Sequence, residues 1–296
     1  MLKIKQIRSL TDCILHGASE IEVNKVSSLF NLEQSSITWV NPSSLIDWDK
    51  IFFPRNVVVI SNKLPPPDFY ENQNLNDVVF ALCDNPKKTF SNCLEELIET
   101  EVIYQGKWYD CERHEGINIH PSAIVNCDIY AKKIRNIFIG PNVFLSEFVT
   151  VSENVKIGPG TVIGGDGFGF FTDQDLQSVR MPHVSGVILG DNVEIGANTV
   201  IDRGTLAPTV IEHNCKIDNL VHISHNVTLG ENTKIVASSV LCGGVKTGRN
   251  VWVGGNSVIR DTLSIGDNAV IGIGSTVIKN IPANETWAGS PAVKIR

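Results

Sequence analysis

The segment Ile211-Glu-His-Asn-Cys-Lys-Ile217-Asp-Asn-Leu-Val-His-Ile223 opens a stretch, residues 211–277, in which one phase returns every six residues. Twelve consecutive positions keep this phase, and eleven of them are aliphatic: Ile211, Ile217, Ile223, Leu229, Ile235, Leu241, Thr247, Val253, Ile259, Ile265, Ile271 and Val277. A short repeat of fixed period indicates a solenoid, because one unit cannot bury its apolar side alone and stacked units complete the core.

The period of six decides which kind of solenoid the chain forms. Six matches neither the 3.6-residue turn of a helix nor the heptad of a coiled coil. An even period keeps alternate residues of an extended segment on one side. Asn or Gly often occupies the fourth position, as in Asn214, Asn226 and Gly244, and both tolerate the left-handed backbone of a tight bend. We therefore predict short parallel strands joined by tight turns and wound as a β-helix.

This pattern resembles the hexapeptide repeat of the left-handed parallel β-helix acyltransferases. In that family three hexapeptides make one triangular coil, so twelve make four coils, about 5 Å apart at ordinary strand spacing. The resemblance implies a left-handed parallel β-helix (hexapeptide solenoid) over residues 116–283. We expect a small α/β nucleotide-binding domain at residues 1–115 and a C-terminal tail at residues 284–296.

Composition and charge exclude several classes of protein. The chain has 296 residues and a formal net charge of −7, which argues against nucleic acid as a main partner. It contains no run of 18 apolar residues and no secretory signal, so we expect no stable membrane insertion. Its seven cysteines include no C-x-x-C pair, which favours free thiols in a reducing cytoplasm and no cysteine-based metal site.

The N-terminal 115 residues lack the six-residue phase. Apolar residues recur at helical spacing in 87–100, and 57–61 is a candidate for a short buried strand. The segment Ser36-Ile-Thr-Trp-Val-Asn-Pro42, together with Asn85-Pro86, resembles the N-terminal domain of the UDP-3-O-(3-hydroxyacyl)glucosamine N-acyltransferases of lipid A assembly. The resemblance implies that Trp39 stacks on uracil and that Asn41 hydrogen-bonds it. The alternative is that Trp39 is an ordinary aromatic residue of a small sheet.

A glycine-rich segment interrupts the solenoid. Ile163-Gly-Gly-Asp-Gly-Phe-Gly-Phe170 precedes a polar excursion that ends at about residue 186. Loops that leave a solenoid usually carry its binding function. The segment is similar to one that borders the acceptor-sugar pocket in the same lipid A family, which implies that Asp166, Phe168 and Phe170 contact substrate. The alternative is a glycine-rich turn whose phenylalanines belong to the core.

Three histidines lie within thirteen residues: His213, His222 and His225. Acyl transfer to an amine needs a general base, and neutral histidine suits this role near pH 7. A backbone N–H at a glycine-rich corner can stabilise the oxyanion. The string Ile-Ser-His225-Asn resembles the Ile-Ala-His-Asn of the lipid A family, which implies that His225 is the base. The resemblance further implies that Asp218 and Asn219 hold the sugar and that His222 lines the wall.

His213 is the alternative base. The string Ile-Glu-His213-Asn-Cys resembles sialic-acid-type and bacillosamine-type sugar acetyltransferases, in which the histidine of a Glu-His string is the base. His213 and His225 are twelve residues apart, two sides of a triangular coil, so one pocket on one chain does not use both. A third possibility is that all three histidines are exposed corner residues.

The end of the sequence favours a different acyl donor from that of the lipid A enzymes. The segment Thr286-Trp-Ala-Gly-Ser-Pro-Ala-Val-Lys-Ile-Arg296 resembles the ending of coenzyme-A-dependent sugar acetyltransferases, and Thr262 stands where the lipid A enzymes carry a second histidine. We therefore predict a short acyl-CoA, such as acetyl-CoA, as the donor. The residues expected to contact it are Gly243, Gly244, Gly254, Gly255, Gly272, Lys279, Lys294 and Arg296.

The leading hypothesis is an N-acyltransferase that acts on the amine of a UDP- or dTDP-linked amino sugar. We expect a homotrimer in which the histidine coil of one subunit faces Gly243–Gly244 and Gly254–Gly255 of the next. The alternative is UDP-3-O-(3-hydroxyacyl)glucosamine N-acyltransferase with an acyl carrier protein (acyl-ACP) donor. Two remote alternatives are a γ-type carbonic anhydrase, with zinc held by three histidines between subunits, and a catalytically silent scaffold.

Overall fold

The computed structural model describes residues 2–17, 20–40, 46–67, 69, 75, 77–100, 117–127 and 136–296. The chain forms two compact units, one of Met1–Gln105 with Gly169–Pro182 and one of Gly106–Phe168 with His183–Arg296. The excursion predicted to leave the solenoid therefore belongs, over Gly169–Pro182, to the first unit. A boundary placed by position along the chain cannot anticipate this, because the excursion is far from residue 105 in sequence.

The first unit is built on a five-stranded sheet with the order Ile14–Gly17, Val78–Leu82, Val57–Ser61, Ser36–Trp39 and Lys25–Val26. All neighbours are parallel except Ile14–Gly17, which is antiparallel to Val78–Leu82. Two further pairs are antiparallel, Leu2–Lys3 with Glu22–Val23 and Phe170–Thr172 with Ser178–Arg180. Short 3₁₀ helices occupy Ile4–Gln6, Arg8–Leu10 and Trp48–Lys50.

The α-helix Pro86–Glu99 packs on this sheet. Its start follows from local chemistry: Asn85 Oδ1 accepts a hydrogen bond from the Lys88 amide at 3.1 Å, and proline occupies the first turn. Its buried face includes Phe90, Leu94 and Leu97, all fully buried. The predictions of a helix near 87–100 and of a strand at Val57–Ser61 are confirmed.

The second unit is a left-handed parallel β-helix, as the six-residue phase predicts. Within the described residues its strands form three sheets of ten, eight and six strands, here called the long, middle and short sheets. From Ile137 to Ile265 the chain passes from the long to the middle to the short sheet in each successive coil.

The strands of each sheet are as follows. The long sheet contains Ile117–Ile119, Ile137–Ile139, Lys156–Ile157, Glu194–Ile195, Lys216–Ile217, Lys234–Ile235, Trp252–Val253, Val270–Ile271, Thr286–Ala288 and Val293–Lys294. The middle sheet contains Ile124–Val125, Phe144–Leu145, Val162–Gly165, Val200–Asp202, His222–Ile223, Val240–Leu241, Val258–Ile259 and Thr276–Val277. The short sheet contains Val149–Val151, Val187–Leu189, Thr209–Ile211, Thr228–Leu229, Lys246–Thr247 and Ser264–Ile265.

All twelve positions of the phase in 211–277 point inward, and none is more than 7% exposed. The bends also keep the period. Eleven successive residues, one every six, have positive φ: Asn214, Leu220, Asn226, Asn232, Ser238, Gly244, Asn250, Asn256, Thr262, Asn268 and Gly274. Three of these, Leu220, Ser238 and Thr262, are neither Asn nor Gly. The closed coil therefore imposes the left-handed conformation even on residues that resist it locally.

The corner between the short and long sheets is the most regular part of the molecule. From residue 136 onward every left-handed residue at this corner is asparagine: Asn136, Asn154, Asn192, Asn214, Asn232, Asn250, Asn268 and Asn284. Side-chain amides join successive coils, for example Asn214 to Asn232 at 2.9 Å and Asn250 to Asn268 at 3.1 Å. We call this row the asparagine edge.

The corner between the middle and short sheets is the irregular one. The excursion leaves after the middle-sheet strand Val162–Gly165 and returns at the short-sheet strand Val187–Leu189. One coil later, residues 203–208 lengthen the same corner, between Val200–Asp202 and Thr209–Ile211. These two insertions therefore lie at a single corner, in consecutive coils. We call it the histidine corner, because His225 lies at the same corner in the next coil.

The predicted C-terminal tail, residues 284–296, does not form a separate element. Thr286–Ala288 continues the long sheet in parallel beside Val270–Ile271, and Val293–Lys294 folds back antiparallel on it. Trp287 packs against the solenoid core. Among the helices of the described residues, none is long and apolar enough to cross a membrane.

Candidate active site

His225 occupies the histidine corner with glycines on both sides of its ring. A Cβ placed on Gly243 would lie 2.7 Å from Cε1 and 2.9 Å from Nε2 of His225. A Cβ on Gly167 would lie 2.7 Å from Cδ2 of the same ring. Both contacts are far shorter than van der Waals distance. The imidazole therefore sits in a slot that only glycine on each side leaves open.

Asn226 fixes the tautomer of His225. Its Nδ2 donates to the Ala207 carbonyl at 2.8 Å, so its Oδ1 faces His225 Nδ1 at 2.9 Å and the Thr205 hydroxyl. Because Oδ1 only accepts, Nδ1 of the neutral ring carries the proton. The lone pair is then on Nε2, the atom beside Gly243. A neutral imidazole held in this tautomer can accept a proton at Nε2.

Buried titratable groups surround the imidazole. The His183 ring is fully buried and meets that of His225 edge to face, with centroids 5.2 Å apart. Burial raises the pKa of Asp202 to about 6, an effect that His225 opposes and Asp166 strengthens. Asp202 Oδ2 lies 3.5 Å from His222 Nε2, and burial lowers the pKa of His222. Both Asp202 and His222 are thus held toward their neutral forms.

Arg203, in the lengthened part of the histidine corner, contacts Asp166 and Phe148. Its Nε and one terminal nitrogen each lie 2.7 Å from Asp166 Oδ1. The guanidinium also covers the Phe148 ring at 4.3 Å and is 7% exposed. Asp166, predicted as a sugar contact, is therefore paired with an arginine, and its side chain remains 42% exposed.

The aromatic residues predicted to bind substrate belong to different units. Phe168 is 86% exposed. Phe170 lies in the first unit, where Arg180 covers its ring at 4.6 Å. Trp39, also in the first unit, stacks on Phe90 at 6.4 Å with 28° between the planes. Trp39 therefore has one ring face against the helix, and Asn41 lies outside the described residues.

Asp218 and Asn219 were predicted to hold the sugar with His225, but within one chain they do not lie with it. They occupy the corner between the long and middle sheets, where they join coils: Asn219 Oδ1 accepts from the Ala197 amide at 2.6 Å and Asp218 Oδ2 from the Ala237 amide at 3.2 Å. Asp218 and His225 are seven residues apart, about one side of the triangular coil, so they lie at successive corners.

His213 lies on the asparagine edge, in the coil that precedes His225. It is exposed, and its Nδ1 lies 3.5 Å from Asn192 Nδ2. The two candidate bases therefore occupy different corners, as their twelve-residue spacing predicts.

The residues predicted to contact the acyl donor fall into three groups. Gly243 and Gly244 follow Leu241 at the histidine corner, whereas Gly254, Gly255 and Gly272 lie at the long–middle corner. Lys294 pairs with Glu285 at 2.6 Å, Lys279 is exposed, and the Arg296 amide donates to the Thr286 carbonyl at 3.2 Å.

One of these glycines has a histidine neighbour in its own chain. Gly243, predicted to face the histidine of another subunit, lies against the ring of His225 of the same chain. Eighteen residues make one coil, so residue 243 lies directly beside residue 225.

Three residues of the site were not singled out from the sequence: His183, Asp202 and Arg203. Asp202 and Arg203 stand at the start of a four-residue insertion in the repeat, since Ile201 and Ile211 are ten residues apart instead of six. That break in phase is the sequence pattern that marks them. In the described residues, no cluster of three His, Cys, Asp or Glu side chains has the arrangement of a metal site.

Comparison with known proteins identifies a matching family model and several relatives of this chain. Residues 208–243 match the family model "Bacterial transferase hexapeptide (six repeats)". UDP-3-O-acylglucosamine N-acyltransferase of Caulobacter sp. is 43% identical over 145 residues, 49% of this chain and 42% of the relative. The enzyme of the same name from Campylobacter lari is 30% identical over 320 aligned positions, which cover 98% of this chain and 93% of the relative.

Several other matches are partial. The chain spans about half the length of the first curated relatives it matches, between 42% and 49% of each. Among solved structures, UDP-N-acetylglucosamine acyltransferase from Campylobacter jejuni aligns over 62% of this chain and 73% of its own, with 23% identity and a TM-score of 0.45.

Proposed function

This chain belongs to the UDP-3-O-acylglucosamine N-acyltransferase family, and from that premise we propose that it transfers an acyl group to the amine of UDP-3-O-acylglucosamine, a step of lipid A assembly. The observation that carries the proposal is the His225 ring, with its Nδ1 proton held by Asn226 and its Nε2 open beside Gly243. A fixed neutral imidazole with one accessible lone pair suits removal of a proton from an attacking amine.

The reaction runs through a tetrahedral intermediate. The sugar amine attacks the thioester carbonyl, and His225 Nε2 accepts the amine proton as the C–N bond forms. The imidazolium then keeps its Nδ1–H bond to Asn226, which stabilises the charged ring. Collapse of the intermediate expels the thiolate, and the proton on Nε2 passes to it.

The Gly243 amide is the candidate donor to the oxyanion. The flanking amides are engaged: Cys242 N–H donates to the Ile259 carbonyl and Gly244 N–H to the His225 carbonyl. Among the described backbone hydrogen bonds, none uses the Gly243 amide as donor. An amide fixed by the coil, next to the base, needs no reorganisation when charge develops.

For the donor, the family assignment favours the alternative hypothesis over the leading one. The acceptor named in the relatives is that of the lipid A enzymes, whose resemblance implies a 3-hydroxyacyl carrier protein rather than a short acyl-CoA. The acyl-CoA hypothesis rested on the last residues of the sequence. Lys294, one of its phosphate contacts, is already neutralised by Glu285.

We further propose that the enzyme works as a homotrimer packed through the middle sheet. Outward residues of this sheet are mostly apolar: Ile124, Phe144, Val162, Val200, His222, Val240, Val258 and Thr276. Those of the long sheet include Lys156, Glu194, Lys216 and Lys234. An apolar flat face favours association. Packing there gives Asp218 and Asn219 of a neighbouring copy a route to the histidine corner, which they lack within one chain.

The test is a donor and acceptor assay with the full chain. We expect N-acylation of UDP-3-O-acylglucosamine with 3-hydroxyacyl carrier protein, detected by mass spectrometry, and much slower turnover with acetyl-CoA. UDP-N-acetylglucosamine, whose amine is already acylated, is the matched negative acceptor. Turnover with acetyl-CoA alone, on another nucleotide-linked amino sugar, would restore the acyl-CoA hypothesis.

A further inference from the structure

Two cysteines of the first unit face each other across an antiparallel strand pair. Cys13 directly precedes Ile14–Gly17 and Cys83 directly follows Val78–Leu82, and Ile14 is opposite Leu82. One further step of the same register sets Cys13 opposite Cys83.

This is the closer of the two kinds of antiparallel pair. The Cys83 amide donates to the Ser61 carbonyl, on the opposite side from Cys13, and the Cys13 amide donates to Leu10. The pair is therefore not hydrogen-bonded through its backbone, and such pairs have Cα atoms roughly 4.5 Å apart. Disulfides span Cα separations of about 4.4–6.8 Å.

The surroundings of Cys83 favour its thiolate. The hydrogen bond from the Cys13 thiol lowers the pKa of Cys83 to about 6, and the Thr89 side chain and the Asn85 N–H add to this, against burial and Asp84. Cys83 also precedes the N-terminus of the helix Pro86–Glu99, whose dipole stabilises a nearby anion. The Cys13 thiol, which donates this bond, has a raised pKa.

The other cysteines among the described residues differ from this pair in access or in acidity. Cys93, Cys127 and Cys215 are buried, and burial raises the pKa of Cys215 to about 12. Cys242 is half-buried, like Cys13 and Cys83, but burial and Asp261 raise its pKa. A paired, accessible thiol with a neighbouring thiolate is the arrangement found in reversible dithiol sites.

We propose that Cys13 and Cys83 form a redox-active dithiol that reacts with small-molecule disulfides such as oxidised glutathione and closes into an intramolecular disulfide. The Cys83 thiolate attacks one sulfur of the glutathione disulfide, forming a mixed disulfide and releasing one glutathione thiolate. Cys13, after losing its proton to solvent, attacks the Cys83 sulfur and releases the second. Two protein thiols are oxidised and one glutathione disulfide is reduced to two glutathiones.

The bridge has a defined effect on the first unit. It ties the edge strand Ile14–Gly17, whose four residues are all exposed, to the buried strand Val78–Leu82. It forms at the carboxyl edge of the parallel strands, the edge at which Trp39 also ends its strand. The proposal is independent of the acyl transfer at His225.

The test uses the full chain equilibrated with mixtures of reduced and oxidised glutathione, followed by alkylation and peptide mass spectrometry. We expect Cys13 and Cys83 to lose their thiols together and to appear as one linked peptide pair. In C13S the bridge is absent and Cys83 carries glutathione instead. C242S, which removes a thiol of similar exposure, should form the bridge as the wild type does.

A second measurement keeps the proposal falsifiable if C13S folds poorly. In the wild type alone, oxidation should raise the Tm of the first unit by about 5 °C or more, because the bridge closes a loop of roughly 70 residues. The proposal is overturned if Cys13 and Cys83 remain alkylated in mixtures that glutathionylate Cys242. It is equally overturned if the wild-type bridge joins any other pair.

Discussion

The histidine corner and the asparagine edge are two corners of the same triangular coils, yet they differ in almost every respect. The edge repeats one residue type through eight coils and joins them by side-chain amides. The corner contains two interruptions of the repeat, a buried arginine and a histidine held between glycines. His213 belongs to the first and His225 to the second. A solenoid can thus keep its coils in register at one corner while another corner holds the residues of a candidate active site.

Replacing each histidine by alanine tests this contrast most strongly. We expect His225→Ala to lower kcat by about 10²–10⁴, the usual contribution of a general base. His213→Ala should leave kcat nearly unchanged, since its ring is exposed on the asparagine edge. Steady-state kinetics on both variants, with KM for the nucleotide sugar as control, decides the matter. A large loss only in the His213 variant would transfer the base to the other corner.

Gly243→Ala tests the contrast between the two corners by adding a single methyl group beside His225. The added Cβ lies 2.7 Å from the His225 ring, so the imidazole must shift away from the Gly243 amide. We expect kcat to fall about 100-fold, similar to loss of one oxyanion donor. The matched control is Gly140→Ala at another corner, where the nearest atoms are the Ile157 carbonyl oxygen and the Pro159 nitrogen at 3.1 Å. Equal kinetic losses in both variants would contradict the role of the slot.

Asn226→Ala and Asn214→Ala form a pair with matched backbone, because both residues have left-handed φ, 62° and 58°. Each should cost about 1–2 kcal/mol of folding free energy from that conformation. Only Asn226→Ala frees the His225 tautomer, so only it should lower kcat, by about tenfold or more. Thermal melts and kinetics on the same preparations separate the two effects. Similar kcat values in both variants would argue against tautomer control.

Asp202→Asn tests the electrostatic cost of the histidine corner. The folded pKa of Asp202, about 6, is above its ordinary value, so its favourable contribution is fully present below the unfolded pKa and is lost as pH rises through 6. The variant should therefore be more stable than wild type at pH 8, by up to about 3 kcal/mol, and equal to it near pH 4. Melting curves from pH 4 to 8 test this. A Tm difference independent of pH would contradict it.

The sequence was sufficient for the solenoid because its phase is a property of local spacing. Each sixth residue is aliphatic, and each coil is closed by residues that bend easily, so burial and turns agree. The sequence was less informative where closure of the coil overrides the backbone preference of a residue. Leu220, Ser238 and Thr262 adopt left-handed φ because the coil closes only that way.

The site was predictable only where the eighteen-residue coil count holds. Counting eighteen from His225 reaches Gly243, the neighbour that was assigned to another subunit. The same count fails toward Gly167 and His183, because the excursion and the four-residue insertion lie between them and His225. Which chain segments lie beside His225 depends on where the backbone returns after the excursion. The local sequence does not determine that position.

The location of both interruptions has a consequence for redesign. Added residues that leave and re-enter at the histidine corner do not change which side chains point inward, because every later strand resumes its place. New recognition loops could be grafted there, for example in the coils of Gly244 and Thr262, and inherit a rigid support beside the base. Grafts on the asparagine edge would instead disconnect the amides of adjoining coils. The histidine corner therefore accepts added residues, whereas the asparagine edge holds successive coils in register.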